Sequence, residues 1–408
     1  MAEFQSVRGF HDIFGQELKK FRYVSDTVRS LLKLYNFEEI ILPVVEYLEV
    51  FQRSIGEVTD IVQKEMFVFQ DRKGRWLALR PEGTAGAVRA YIQNRLYALK
   101  PYVKLFYEGP MFRYERPQAG RYRQFHQIGA EVFGTLDPQV DAQMIEMVHT
   151  ILTKLGISAT IEINSIGCRV CRPSYKKALS HYLEDVVGHL CDVCLDRKDK
   201  NPLRVLDCKV ETCKEAVKQA PKMVDYLCQE CATHYETLRS YLDMLSIPYR
   251  ENHHLVRGLD YYTKTVFEAV SDELGITIIA GGRYDYLVEE MGGPPTPAIG
   301  FAVGIERISM LVKDLPQEEP LYMVIPFGDT LDYAFEVIKK LRDMGKRVET
   351  SYKKANLKKQ LELANKLKAD YVVLIGEDEK RQNTITIKNM HTGMQESISF
   401  RELAHERL

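Results

Sequence analysis

The chain has no surplus of either charge. Its 408 residues carry 56 Lys and Arg against 57 Asp and Glu, a formal net charge of −1. Overall charge therefore argues for no nucleic-acid partner, and only a local cluster could. Long apolar runs are missing too. Stretches such as IILPVV (residues 40–45) fall well short of a bilayer span, so no membrane segment is expected. The opening MAEFQSVRGFHDIFG lacks a basic region followed by an apolar run, so no secretory signal is expected. Internal repeats and low-complexity tracts are absent. Cysteine is absent outside 168–231, where all eight lie. A cytoplasmic setting is expected, in which such thiols do not form structural disulfides. The chain is 45% hydrophobic, enough at this length for two or three domains with cores.

What is present changes character along the chain. Leu18, Phe21, Val24, Val28, Leu31 and Leu32 recur at helical spacing within residues 17–35. FEEIILPVVE (37–46) reads as a strand stopped by Pro43. Segments 66–70, 76–80, 103–107, 110–116 and 123–133 read as strands of one antiparallel sheet. Residues 139–155 read as a helix and ATIEINSIG (159–167) as a strand. From 168 to about 250 the chain is helical, charged and cysteine-rich. YTKTVFEAV (262–270) and GITIIAGGRYD (275–285) restore the strand pattern, and PAIGFAVGIERISMLV (297–312) reads as a strand running into a helix. KDLPQEEP (313–320) is a polar linker with two prolines. Beyond it strand and helix patterns alternate, which describes a small α/β domain.

FRYERPQAGRYRQFHQIGAEVFG (112–134) sets arginines at 113, 116, 121 and 123 around a Pro-Gln-Ala-Gly turn. Side chains two apart on a strand share a face. Phe125, Gln127, Gly129 and Glu131 therefore point one way, and His126, Ile128, Ala130 and Val132 the other. The first face offers a ring, an amide and an acid, where a solvated strand would carry Lys and Glu. Guanidinium forks suit phosphate oxygens. A polyphosphate with a stacked base would account for the hairpin, and a salt-bridged surface hairpin is the alternative. Three other stretches add weight. LRPEGTAGAVRAY (79–91) puts Glu82 and Thr84 at a strand-to-helix turn. VRGLDYYTKTVFE (256–268) sets Arg257 before a glycine, with Tyr261 and Tyr262 following. AIGFAVGIERI (298–308) sets Gly300 and Gly304 among small apolar residues and delivers Arg307 in the first turns of a helix. A single Arg on a helix usually only faces solvent. The joint order of these stretches is more specific than any one of them.

In that order they resemble the class II aminoacyl-tRNA synthetases, and within these the histidyl-tRNA synthetase family. FEEIILPVVE resembles motif 1, which forms the dimer interface. FRYERPQAGRYRQFHQ (112–127) resembles motif 2 and AIGFAVGIERI motif 3. RGLDYYT (257–263) and GGRYD (281–285) resemble the two histidine-specific signatures. The resemblance spans nearly the whole chain. It implies an α+β catalytic domain on an antiparallel class II sheet of six or seven strands, from residues 1–166 and 252–316. It also implies a helical cysteine-rich insertion (167–251) and a C-terminal α/β anticodon-binding domain (320–408). The implied protein is a homodimer. It joins L-histidine to ATP with Mg²⁺ present, releases pyrophosphate, and passes the histidyl group to the 3′ end of a tRNA.

The resemblance also implies roles. Arg113 would hold the α-phosphate, Arg307 the γ-phosphate and Arg121 the outer phosphates. Arg257 would sit between the histidine carboxylate and the α-phosphate, so Arg113, Arg257 and Arg307 are the implied catalytic residues, the first two also reaching histidine. Phe125 would stack on adenine, with the backbone near Glu115 reading its edge. Glu82, Thr84 and Gln127 would hold the amino group of histidine. Glu131 and Tyr262 would bind its imidazole, with Tyr261 lining the same pocket.

Between 339 and 368 there are eleven Lys or Arg and three Asp or Glu, a net of +8 from 11 − 3. A solvated helix pair would look the same, but beside a synthetase the window suits tRNA phosphates. The cysteines fall in four close pairs: Cys168 with Cys171, Cys191 with Cys194, Cys208 with Cys213, and Cys228 with Cys231. Two structural Cys₄ zinc sites would use them all, and inert core thiols are the alternative. The pairs combine into two sites in three ways, among which spacing does not choose. Here the chain departs from the better-known family pattern, in which the insertion has no zinc. Two rival readings remain. One is the non-catalytic regulatory subunit of ATP phosphoribosyltransferase, a paralogue that loses signature residues and usually the C-terminal domain. The other is a synthetase for threonine or proline, against which the paired tyrosines argue.

Overall fold

The computed structural model describes residues 4–55, 59, 61–118, 120–351 and 356–401. The chain divides into two compact units, residues 1–315 and 316–408.

The first unit is built on an eight-stranded sheet. From edge to edge its strands are Glu38–Glu39, Val103–Phe112, Gln124–Phe133, Ala298–Gly304, Thr277–Arg283, Thr263–Ser271, Ala159–Ser165 and Arg250–Glu251. The six inner strands are antiparallel neighbours. The two-residue edge strands pair in parallel, which makes the whole sheet mixed. Three parts of the sequence reading need correction. Residues 66–70 and 76–80 do not belong to this sheet; Val68–Gln70, Trp76–Leu79 and Val45–Tyr47 form a separate three-stranded sheet. Alternation reveals a strand but not its partner, so periodicity could not separate the two sheets. FEEIILPVVE is not one strand, because only Glu38–Glu39 and residues from Val45 onward pair, on either side of Pro43. Segments 103–107 and 110–116 are a single strand that ends at Phe112, one residue before Arg113. Pro110 is tolerated there because the parallel edge pairing stops at Phe106.

Period-3.6 patterning buries one face of the sheet. Helix Gly15–Leu34 contributes Phe21, Val24, Val28, Leu31 and Leu32, while Leu18 is half-buried. Helix Pro138–Lys154 starts at a capping Asp137, whose carboxylate accepts from the Gln139 amide at 2.8 Å, with proline in the first turn. These helices pack over Ile128, Ala130 and Val132 in one core. The opposite face carries helix Thr84–Gln93 and most of the cysteine-rich segment. That segment contains helices Arg172–Asp185, Asp192–Lys200, Glu211–Val217 and Gln229–Met244. It is tied to the sheet by a buried ionic chain. Arg283, fully buried, donates to Asp141 at 2.5 Å, and Asp141 also bonds His234 Nε2 at 2.8 Å. A buried charge left without its partner is strongly destabilising, so this chain fixes the last insertion helix against the core.

The second unit has a five-stranded sheet in the order Arg347–Thr350, Leu321–Pro326, Tyr371–Ile375, Thr384–Asn389, Gln395–Ser399. The first two pairings are parallel and the last two antiparallel. Alternation along its strands supplies two cores. Tyr322 and Val324 pack with helix Leu331–Asp343. Met323 and Ile325 pack with Ala364 of helix Leu357–Lys366. The closing antiparallel strands were not anticipated. Among the described residues no helix is long and apolar enough to cross a membrane.

Candidate active site

The sheet face opposite the Gly15–Leu34 helix opens into one cavity. Its lining includes Glu82, Thr84, Arg113, Glu115, Arg121, Phe125, Gln127, Glu131, Arg257, Tyr261, Tyr262 and Arg307. Every non-cysteine residue expected in the site is therefore gathered there, from four separate stretches of chain.

One end of the cavity is dry and hydroxyl-rich. Glu131, 1% exposed, accepts from Thr84 Oγ1 at 2.8 Å, Tyr107 OH at 3.0 Å and Tyr284 OH at 2.5 Å. Burial pushes its pKa up to about 7, against the pull of those three hydroxyls. Room for this arrangement comes from glycine. A Cβ at Gly300 would lie 1.7 Å from Glu131 Oε2, and one at Gly129 would lie 2.2 Å from the Tyr107 ring. Glu82 is buried at the start of helix Thr84–Gln93 and accepts from the amides of Thr84 at 2.6 Å and Ala85 at 2.9 Å. The helix N-terminus thus holds its carboxylate, while burial raises its pKa. Tyr261 and Tyr262 pack together with ring centroids 4.7 Å apart.

The other end is cationic. Arg113 donates from Nε to Pro81 O at 2.9 Å, and its guanidinium lies 5.3 Å from the Phe125 ring centroid. Its Nη1 is 3.8 Å from Glu115, and Arg121 Nη1 is 3.6 Å from the same carboxylate, beyond hydrogen-bond range. Arg307 donates to Gly120 O at 3.0 Å and Thr277 O at 2.8 Å. Burial, reinforced by the neighbouring Arg121, lowers its pKa. Arg257 stands between the two ends. It is ion-paired with Glu268, and its guanidinium lies 5.7 Å from the Tyr262 ring centroid. Burial works against its charge, yet Glu268 raises its pKa above the ordinary value.

The sequence reading missed Tyr107, Tyr284 and Glu268, which also line the cavity. Tyr284 lies in the GGRYD signature, so a signal for it existed. Tyr107 and Glu268 sit in strands where alternation gives no sign of a ligand-facing role. Two of the four hairpin arginines stay outside the lining. Arg116 is exposed, and Arg123 stacks on Tyr114 with 3.7 Å to the ring centroid and donates to Glu115 O at 3.3 Å.

The cysteines converge on two quartets: Cys168, Cys171, Cys228 and Cys231, and Cys191, Cys194, Cys208 and Cys213. This selects one of the three possible combinations. Within each quartet all four sulfurs lie within 4.8 Å of one another, and none is in a disulfide.

Comparison with known proteins follows the same lines. The family model described as histidyl-tRNA synthetase matches residues 9–308, and an anticodon binding domain model matches residues 322–406. The histidine–tRNA ligase of Aquifex aeolicus is 67% identical over 400 residues, covering 98% of this chain and 99% of its own. That of Thermodesulfovibrio yellowstonii is 49% identical, with 98% and 97% coverage. The structure of apo histidyl-tRNA synthetase from S. aureus superimposes with a TM-score of 0.82 at 35% identity, covering 98% and 99% of the two chains. Class II sheet, gathered cavity and whole-length similarity agree, and the chain belongs to the histidyl-tRNA synthetase family.

Proposed function

We propose that the cavity is where this histidine–tRNA ligase joins L-histidine to ATP, with histidine at the hydroxyl-rich end and the triphosphate at the arginine end. The observation that carries this reading is the pairing of a buried acceptor, Glu131, with a row of half-open guanidinium groups in one cavity. Glu131 and Tyr262 would read the imidazole, with Tyr261 beside them. Thr84, Gln127 and Glu82 would face the amino group. Glu82 already serves two helix amides, so its role there is mainly charge. Phe125 would stack on the base.

The carboxylate of histidine is ionised at neutral pH, so no general base is needed. The demand lies in the charge that develops at phosphorus, which fixed cations meet without reorganisation. Arg113 and Arg307 would hold the phosphates, and Arg257 would touch both reacting groups. Mg²⁺, when bound, would neutralise the polyphosphate. Glu115 and Glu268 line the arginine end and offer the hard oxygen donors that ion takes. A site that pairs both imidazole nitrogens rejects apolar isosteres by roughly 10⁴-fold or more, so no editing site is required.

The C-terminal unit would bind tRNA near its anticodon through the +8 window, in a cytoplasmic enzyme. The motif 1 stretch would form a homodimer interface, consistent with Ile41 being 89% exposed. Each cysteine quartet would hold one structural zinc ion. The regulatory-subunit alternative is the weaker reading, because the anticodon-domain match and the complete signature residues both favour the ligase. Histidine-dependent ATP–pyrophosphate exchange tests the proposal. Exchange with histidine, and not with threonine or proline, is expected; no exchange with histidine would overturn it.

A further inference from the structure

The histidine end of the cavity depends on residues 257–262, which lie in neither a helix nor a strand. Both ends of that segment are held by the cysteine-rich insertion. At the rear, Arg172, the residue after Cys171, donates to Tyr262 O and, at 3.3 Å, to Ile166 O. Just beyond it the pairing of strands Ala159–Ser165 and Thr263–Ser271 continues into the insertion's first residue, with the Lys264 amide donating to Gly167 O and the Ile166 amide to Lys264 O, each at 2.8 Å. At the front, the tethers come from the chain between Cys194 and Cys208. Arg204 Nη1 donates to Arg257 O at 3.0 Å, and Asn201 Nδ2 donates to Asp260 Oδ1 at 3.0 Å. The first quartet therefore abuts the rear tether, and the second quartet brackets the front one.

Each quartet has the chemistry of one closed tetrahedral zinc site. Sulfur separations of 3.5 Å (Cys168 to Cys171), 3.9 Å (Cys168 to Cys228) and 3.9 Å (Cys191 to Cys208) are found. Four thiolates at ~2.3 Å from one zinc stand about 3.8 Å apart. A disulfide would need about 2.05 Å, and these are far longer. Backbone amides already point at the sulfurs: Val170 N to Cys168 at 3.3 Å, Cys228 N to Cys171 at 3.1 Å, and Cys191 N to Cys213 at 3.1 Å. Such donors stabilise a metal-bound thiolate and orient it. With four sulfurs each, neither site leaves a position for substrate, so an ion held there would be structural.

We propose that the two zinc ions act as a pair of braces that set the histidine-recognition segment 257–262 from its two ends. The proposal rests on the ligase reading above and goes beyond it in giving the insertion a part in amino-acid recognition. Metal binding adds folding free energy to the segment that supplies the ligands, on top of the apolar core around Tyr175, Leu179 and Leu183. Losing either ion frees one end of the segment, so Arg257 and the two tyrosines lose their placement while the arginines of the 112–127 hairpin keep theirs.

The test uses the full-length protein, purified without added zinc. Elemental analysis should give two zinc per chain. Cys228→Ser with Cys231→Ser, and separately Cys208→Ser with Cys213→Ser, should each leave one. In pyrophosphate exchange each pair should raise the histidine KM by about tenfold or more, with ATP KM changed less than about twofold. Because cysteine variants can fail to fold, Arg204→Ala with Asn201→Ala provides a second arm. It should keep two zinc and a wild-type melting temperature, yet raise the histidine KM several-fold. Metal-free protein with eight reactive thiols, or iron in place of zinc, overturns the metal assignment. A folded variant that has lost one zinc but keeps the wild-type histidine KM overturns the bracing, as does a silent Arg204–Asn201 variant. Failure of the ligase reading itself appears separately, as wild-type protein with two zinc and no histidine-dependent exchange.

Discussion

The two ends of the cavity are built on opposite physical plans. At the histidine end, Glu131 is buried and three hydroxyls already donate to it. At the phosphate end, Arg113 and Arg307 are anchored to backbone carbonyls, and the Arg113 and Arg121 forks stand 3.6–3.8 Å from Glu115. The first end is preorganised and desolvated, so it can discriminate a ligand by leaving no group free to adapt. The second keeps cationic donors near, but not locked to, an acid. It can close on phosphates as charge develops. On the proposed reading, recognition and charge stabilisation are separated in space, with Arg257 at the junction.

Breaking the junction should have the largest effect. Arg257→Ala is expected to lower kcat for adenylation by roughly 10²–10³-fold with a smaller change in either KM, the pattern for a contact made mainly in the transition state. Exchange kinetics showing a rise in KM alone would remove Arg257 from that role. Next is the histidine end itself. Glu131→Ala should cost about 1.5–3 kcal/mol, read as a rise in histidine KM or a fall in kcat, while ATP KM holds. Unchanged histidine kinetics would sink the assignment.

A pH series sharpens the contrast at smaller amplitude. With its pKa raised to about 7, Glu131 loses its charge as pH falls through neutrality, and histidine KM should climb there. Histidine titrates nearby, so the control is Glu131→Gln, in which the component due to the enzyme should vanish. The same shift has a stability consequence of opposite sense. The folded chain holds this proton more tightly than the unfolded one. Its contribution to stability therefore declines from the ordinary 4.5 up to about 7, by at most about 3 kcal/mol. Urea titrations comparing wild type with Glu131→Gln should find the gap between them widening in favour of the variant over that range. The smallest effect is expected at Arg116, which is exposed and outside the lining. Its replacement by Ala should change exchange rates by less than about twofold. A larger loss would place the whole hairpin, not half of it, in the phosphate end.

Much of this was readable in the sequence where a local period sufficed. Gln127 and Glu131 were placed together on the cavity face by alternation alone, and Ile128, Ala130 and Val132 on the core face. The gathering of Glu82, Arg113, Arg257 and Arg307 came from the order of motifs, not from any one of them. What stayed hidden needed distances between remote segments. Tyr107 meets Glu131 only because two strands pair with Leu105 opposite Glu131 and Tyr107 opposite Gly129. Glu268 inside an apolar strand gave no hint that its partner was Arg257. The quartets join pairs up to 60 residues apart, and no spacing rule selects among such combinations. The small three-stranded sheet escaped for the same reason.

Gly129 and Gly300 put a limit on how this site can change under selection. A methyl group at either position overlaps Tyr107 or the Glu131 carboxylate, so neither accepts a side chain while the floor of the histidine pocket stays in place. In a saturation library scored by growth, both should read as intolerant as a substrate-contacting arginine. A competitive inhibitor seated on this floor would therefore face few resistance routes there, because altering the surface beneath it also displaces the carboxylate proposed to recognise histidine.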